Sequence, residues 1–200
     1  MNFEFTEEQG MLRDSVARFV QDSYDFDTRR KIAASDEGMS RENWQTFAEL
    51  GWLSVPFAEA HGGFGGGPVD TMVMMEEFGK GIVLEPYLAT VLLFGGLLQR
   101  GGSVEQQAEL IPRIIEGSCL GAFAYLERQS RHAITDIKTT AAVQGDQLVL
   151  NGEKVVVFNG ASADQLIVAA RSSGEQSDEE GITLVLVPAD AAGVERTAYR

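Results

Sequence analysis

In the first half of the chain, apolar side chains recur at helical spacing. Leu12, Val16, Phe19 and Val20 fall on one face, and Thr6 followed by Gln9 is a capping-box pattern, so a helix is predicted to start at Thr6 and to break near Ser23 to Asp27. Ser40 caps a short helix with Trp44, Phe47, Ala48 and Leu50 on one face, and Gly51 gives it a left-handed stop. Pro68 fits the first position of another helix whose buried stripe is Met72, Met75, Phe78 and Gly79. Glu85-Pro86 introduces a helix from Tyr87 to Gln99 that is apolar nearly all round and is therefore expected to be buried on several sides. Ser103 with Gln106 caps a last helix, with Leu110, Ile114 and Ile115 pointing inward.

After Gly117-Ser118 the period changes. Phe123 to Leu126, Thr139 to Val143, Leu148 to Leu150 and Ile182 to Val187 read as strands. Asn151-Gly152, flanked by runs of Val and Leu, predicts a two-residue hairpin turn, with a second turn at Gln144-Gly145-Asp146. Polar, acidic Ser172 to Gly181 reads as a loop between strands. Helices first and strands second give an α+β chain: an all-helical domain over residues 1–120, then an antiparallel, β-barrel-like sheet over 121–200. A sheet ending there lacks neighbours, so a longer polypeptide is expected.

Composition narrows the function classes. Sixteen Lys and Arg against 30 Asp and Glu give a net charge of −14, the opposite of a nucleic-acid footprint. An anionic ligand would need a locally basic pocket. The single Cys119 excludes an intrachain disulfide and fits a reducing cytoplasm. The acidic N-terminus has no apolar signal core, and the apolar run Tyr87 to Leu98 is shorter than a membrane span of roughly 20 residues. The Gly-rich loop HGGFGGG lacks a following Gly-Lys-Ser/Thr and reads as a structural connection, and Arg29-Arg30-Lys31 reads as a solvated face. His61 and His132 sit in no nucleophile or metal motif. The residues by themselves therefore define no catalytic constellation.

The order of short motifs is more telling: A-F-A-x-x-E from Ala122, K-T-T-A from Lys138, L-N-G-x-K from Leu150 and N-G-x-x-A-D from Asn159, all after a helical half. In this order and spacing the chain resembles the acyl-CoA dehydrogenase family over its whole length, with the Glu127 to Arg131 variant most similar to the small subunit of pimeloyl-CoA dehydrogenase-type enzymes. The resemblance implies FAD as cofactor and α,β-dehydrogenation of an acyl-CoA thioester, with a dicarboxyl-CoA such as pimeloyl-CoA as the candidate substrate. In that reaction a carboxylate base takes the α-proton and the β-hydrogen leaves as hydride to the flavin. It places that base, a glutamate, on a C-terminal helical domain beyond Arg200, so no catalytic residue is expected within these 200 residues. The partners it implies are an electron-transfer flavoprotein or similar acceptor and either a homo-oligomer or a heterotetramer with a related larger subunit.

The flavin-contacting positions carried over by the resemblance are Phe123, Tyr125, Leu126, Val156 and Phe158. Leu126 and Phe158 stand where the family has threonines that bond the flavin, and Val156 stands where a tryptophan shields the ring. Two readings stay open: a flavin held by backbone amides, or a flavin-deficient structural subunit of a heteromeric enzyme. Arg131, His132 and Ala133 replace the family's Gly-Ser-Asp. Arg128, Arg131 and His132 are candidates for contact with the CoA, the alternative being a surface ion-pair set with Glu127 and Asp136.

Overall fold

The computed structural model describes residues 4–199. Arg200, the residue beyond which the catalytic base is expected, lies outside the described residues. The chain forms two compact units, one made of the chain up to Tyr87 together with Gly95–Ser118, the other of Leu88–Phe94 together with the chain from Cys119 onward. No helix among the described residues is long and apolar enough to cross a membrane.

The helical unit contains α1 (Glu7–Ser23), α2 (Phe26–Ala34), α3 (Arg41–Glu49), α4 (Pro68–Gly81), α5 (Gly96–Gly101) and α6 (Val104–Ile115). Capping boxes at Thr6/Gln9 and Ser103/Gln106, the Ser40 cap and Pro68 in the first turn are all present. Gly51 takes the left-handed conformation (φ 77°) that lets the chain leave α3. The break after Ser23 is short, and Asp25 caps α2 by accepting the Thr28 N–H at 2.7 Å. The basic triad therefore lies on a helix that buries no residue.

Two stripes differ from the sequence pattern. Met72 is 49% exposed and Gly79 is exposed, while Val73, Met74, Glu77 and Phe78 are buried, so α4 is turned by one position. The cause is Phe78: it joins an aromatic cluster in which it stacks on Phe47 at 5.1 Å, meets Trp52 edge-on at 5.8 Å and lies 5.3 Å from Tyr87. In α3, Trp44 and Phe47 are buried, but Leu50 sits at the C-cap, beyond the packed face, and is 48% exposed. In α6, Ile111 joins Leu110 and Ile114 in the core, with Ile115 only partly buried. A buried carboxylate, Glu85, accepts from Tyr24 O–H (2.7 Å), Ser40 N–H (3.2 Å) and Asn43 Nδ2 (3.2 Å), which ties the end of α1 to the start of α3.

Tyr87–Gly95 is a π-helical segment running directly into α5, where the sequence pattern predicts one α-helix. Its burial follows the apolar pattern, with Tyr87, Ala89, Thr90, Val91 and Phe94 buried.

The sheet unit is an open, mixed sheet, not an antiparallel barrel. Its strands are β1 (Gly121–Ala124), β2 (Thr140–Gln144), β3 (Gln147–Asn151), β4 (Gln165–Arg171) and β5 (Ile182–Pro188). β4 runs parallel to β1, from Gly121↔Gln165 to Ala124↔Val168, and parallel to β2 at Thr140↔Arg171. β5 pairs antiparallel on its other side, and β2 pairs antiparallel with β3. The long excursion between β1 and β4 is what permits the parallel pairing, since parallel neighbours need a crossover where antiparallel ones need only a turn. Flanked on both edges, β4 reads as a nearly continuous apolar run, Leu166 to Ala170.

The hairpin turn also lies elsewhere than at Asn151-Gly152. β2 and β3 are joined by Gly145-Asp146, with Gly145 at φ 63°. Gly152 is not in the left-handed region; a Cβ there would come 2.3 Å from Thr139 Oγ1. Its lack of a side chain serves close approach rather than a turn.

Candidate functional site

The end of β1 and the two segments that follow it converge on one carboxylate. Glu127 is 5% exposed. Its Oε1 accepts from Lys154 Nζ (2.7 Å), Thr139 Oγ1 (2.6 Å) and Thr139 N–H (3.0 Å). Its Oε2 accepts from Lys138 N–H (2.8 Å) and Gln129 Nε2 (2.8 Å). Burial alone would raise the Glu127 pKa, but the hydrogen bonds from Lys154, Thr139 and Gln129 overcome it and hold the carboxyl down at about 2. Burial lowers the pKa of Lys154, and Glu127 opposes that effect. This knot fixes loop 125–131 against residues 137–139 and 152–155. The Gly152 contact with Thr139 belongs to the same packing.

Beside the knot lies a row of main-chain donors. Gln165 N–H donates to Leu120 O, while Gly121 exchanges both its polar groups with Thr90 Oγ1. Even-numbered residues of β1 therefore face β4, and Phe123 turns its N–H to the free edge; β1 ends at Ala124, and the chain leaves the ladder at Tyr125 and Leu126. Among the described residues, the N–H groups of Tyr125, Leu126 and Phe158 have no hydrogen-bond partner. The Phe123 and Tyr125 rings stack at 4.9 Å with 20° between their planes. The neighbouring segment is linked by Val155 N–H to Leu126 O at 2.9 Å.

That neighbouring segment is strained. Val156 (φ 52°) and Asn159 (φ 60°) both adopt left-handed backbone, which asparagine tolerates but which is a true outlier for a β-branched residue. Between them Phe158 is displayed with 54% exposure, and Val156 itself is 47% exposed. The Val156 N–H donates to the Tyr199 hydroxyl at 2.7 Å, and Asn159 Nδ2 is buried with no partner among the described residues. An open groove of about 1120 Å³ runs alongside, lined in part by Val156, Val157, Leu166, Val185 and Val187.

Arg128 is exposed and pairs with Glu153 (3.1 Å). Arg131, at φ 47°, and His132 are exposed on the same turn. The alternative, an ion-pair set with Glu127 and Asp136, does not form among the described residues: Glu127 is committed to the knot, and Asp136 Oδ1 accepts from Gln129 and Gln176. The five flavin-candidate positions thus lie on β1's end and the segment bonded to it, and Arg128, Arg131 and His132 lie on the adjoining turn. The motif letters of Thr139 and Lys154 are visible in the sequence, but their meeting at Glu127 joins residues 12 and 27 positions away. Asn159 and Tyr199 carry no sequence signal of their contacts.

A helical unit followed by a mixed sheet, whose edge strand leads into unpartnered amides beside a buried ion pair, defines an α+β protein. Residues 6–118 match the acyl-CoA dehydrogenase N-terminal domain, and residues 122–200 match the acyl-CoA dehydrogenase middle domain. The chain belongs to the acyl-CoA dehydrogenase family. It is 32% identical over 206 residues to a probable acyl-CoA dehydrogenase, YngJ, of Bacillus subtilis, covering 99% of this chain and 52% of that protein. Among solved structures it is similar to the ChsE4-ChsE5 complex from Mycobacterium tuberculosis, with a TM-score of 0.86 at 27% identity, covering 100% of this chain and 52% of that one. The FAD complex of PigA is similar too, with a TM-score of 0.86 at 26% identity, covering 96% of this chain and 51% of that one. The chain spans about half the length of these proteins.

Proposed function

We propose that this chain carries flavin- and thioester-binding surfaces of an FAD-dependent acyl-CoA dehydrogenase, acting on an acyl-CoA such as a dicarboxyl-CoA of the pimeloyl type. The observation that carries this reading is the set of unpartnered N–H groups at Tyr125, Leu126 and Phe158, positions to which the family resemblance assigns flavin contacts. They fit FAD because amides donate whatever side chain they carry. Bound flavin supplies the two-electron acceptor that α,β-dehydrogenation requires. Phe123 and Tyr125 contribute a stacked aromatic wall, and Leu126, Val156 and Phe158 an apolar one that excludes water. Arg128 and Arg131 supply local positive charge for a phosphate-bearing CoA on an otherwise acidic chain, with His132 beside them as a further polar contact. Arg131 holds left-handed backbone at φ 47°, the conformation for which the family's glycine is suited. The proton-abstracting carboxylate belongs, in this reading, to sequence beyond Arg200, so residues 1–200 bind and orient but do not catalyse. We place the protein in the cytoplasm, with an electron-transfer flavoprotein or similar acceptor downstream and an oligomeric assembly. An absorbance spectrum of the full-length protein, alone and with a co-expressed dehydrogenase-like partner, tests the reading. A flavin spectrum is expected, and a colourless protein that takes up no added FAD in either case contradicts it.

A second reading is a flavin-deficient structural subunit of a heteromeric dehydrogenase. It is favoured by the absence of any side-chain donor at Leu126, Val156 and Phe158 and by the similarity to a two-component complex. Leu126→Thr with Phe158→Thr separates the two. In a working site the restored hydroxyls, at roughly 0.5–1.5 kcal/mol each, are expected to tighten FAD about 10- to 100-fold in an equilibrium titration. No gain identifies a pocket whose geometry has diverged. Arg131→Ala is expected to raise the KM for acyl-CoA several-fold and to flatten its salt dependence. An unchanged KM and salt profile removes Arg131 from the substrate site.

A further inference from the structure

We propose that Lys154 is a positioning residue for the flavin: by holding the Tyr125 carbonyl it aims and strengthens the Leu126 N–H, a main-chain donor facing the cofactor. This inference rests on the flavin reading above. Lys154 Nζ lies 2.7 Å from Glu127 Oε1 and 3.4 Å from Tyr125 O. The Tyr125 carbonyl and the Leu126 N–H are the two ends of one planar trans peptide, so they point in opposite directions. A cation fixed at the oxygen end therefore orients the hydrogen end, and it also polarises the peptide and makes its N–H a stronger donor.

The surrounding bonds leave that N–H as the group not otherwise committed. Leu126 O accepts from Val155 N–H, and Glu127 N–H donates to Ser130 Oγ at 3.1 Å. The ammonium is not needed merely to satisfy the carboxylate, which already receives four hydrogen bonds from Lys138, Thr139 and Gln129. Burying a lysine side chain is costly. Beyond the countercharge it gives Glu127, Lys154 adds a reach to Tyr125 O that none of the other donors has.

The test uses the full-length protein and reads FAD affinity by flavin fluorescence, the bound-flavin absorption spectrum and the melting temperature. Lys154→Met is expected to weaken FAD about tenfold or more and to shift the visible bands, and Lys154→Arg to recover part of both. Thr139→Val removes a donor to Glu127 without touching Tyr125. It is expected to lower the melting temperature while changing FAD affinity less than about twofold. Should Lys154→Met fail to fold, Glu127→Gln with Lys154→Met removes both buried charges together, and the same loss of affinity is expected. Wild-type affinity and spectrum in the folded lysine variant overturn the proposal. A wild-type protein that takes up no FAD, alone or with its partner, overturns the flavin reading and this inference with it.

Discussion

Replacing Glu127 with alanine is expected to destabilise the sheet unit by about 3–5 kcal/mol, because it strands a buried ammonium without its anion. Four further donors lose their acceptor at the same time, among them the backbone N–H groups of Lys138 and Thr139. The double variant Glu127→Leu with Lys154→Met is expected to be milder, since it removes both charges together. The knot also predicts acid sensitivity. The Glu127 carboxyl moves from an ordinary value of 4.5 to about 2 in the folded chain. Between those values the unfolded chain binds more protons than the folded one, so stability falls as pH drops through the window, by about 3 kcal/mol in all. Above pH 4.5 this contribution is fully present. Unfolding midpoints followed from about pH 6 to about pH 2 check it: Glu127→Gln is expected to lose less stability over the window than wild type, and parallel curves contradict the assignment.

Arg171→Met is expected to cost a similar amount, about 3–5 kcal/mol, for a different reason. The guanidinium at the end of β4 is buried and forms no ion pair among the described residues. Instead it donates to six main-chain carbonyls: Thr135, Ile137, Ser173, Gln176, Asp178 and Glu180. Methionine has similar length but no donor, so those carbonyls must find water or stay unpaired. Two segments are then released, the turn leading to Lys138 and Thr139 and the acidic loop after β4. Loss of the first reaches the Glu127 knot, because Lys138 and Thr139 supply its backbone donors. Limited proteolysis should cut within residues 172–181 far faster in Arg171→Met than in wild type; equal rates would show that the loop holds itself.

The helical half is legible in the sequence because its signals are local. A capping residue and its partner lie three positions apart, and Pro68 and Gly51 act on their own backbone. The α4 stripe reads one position off because its register depends on Phe78 meeting Phe47 and Trp52, a contact between distant residues. The pattern finds four of the five strands but does not single out β4, whose apolar run lacks alternation, and it does not give directions. Alternation marks a strand without saying which neighbour it takes, and the pairing of β1 with β4 spans the whole hairpin between them. Asn151-Gly152 has the composition of a turn, yet the Thr139 contact decides the role of that glycine. The candidate site is legible only as motif letters. The sequence shows Glu127, Thr139 and Lys154 as separate residues, and only the fold turns them into one ion pair that braces a row of open amides.

Hydrogen–deuterium exchange on the full-length protein, with and without FAD, reads those amides directly. The expected result is slowed exchange on FAD addition at Tyr125, Leu126 and Phe158, with little change at the tip of the β2–β3 hairpin. Bound flavin that leaves these three amides exchanging as fast as before would contradict a cofactor held by the edge of β1.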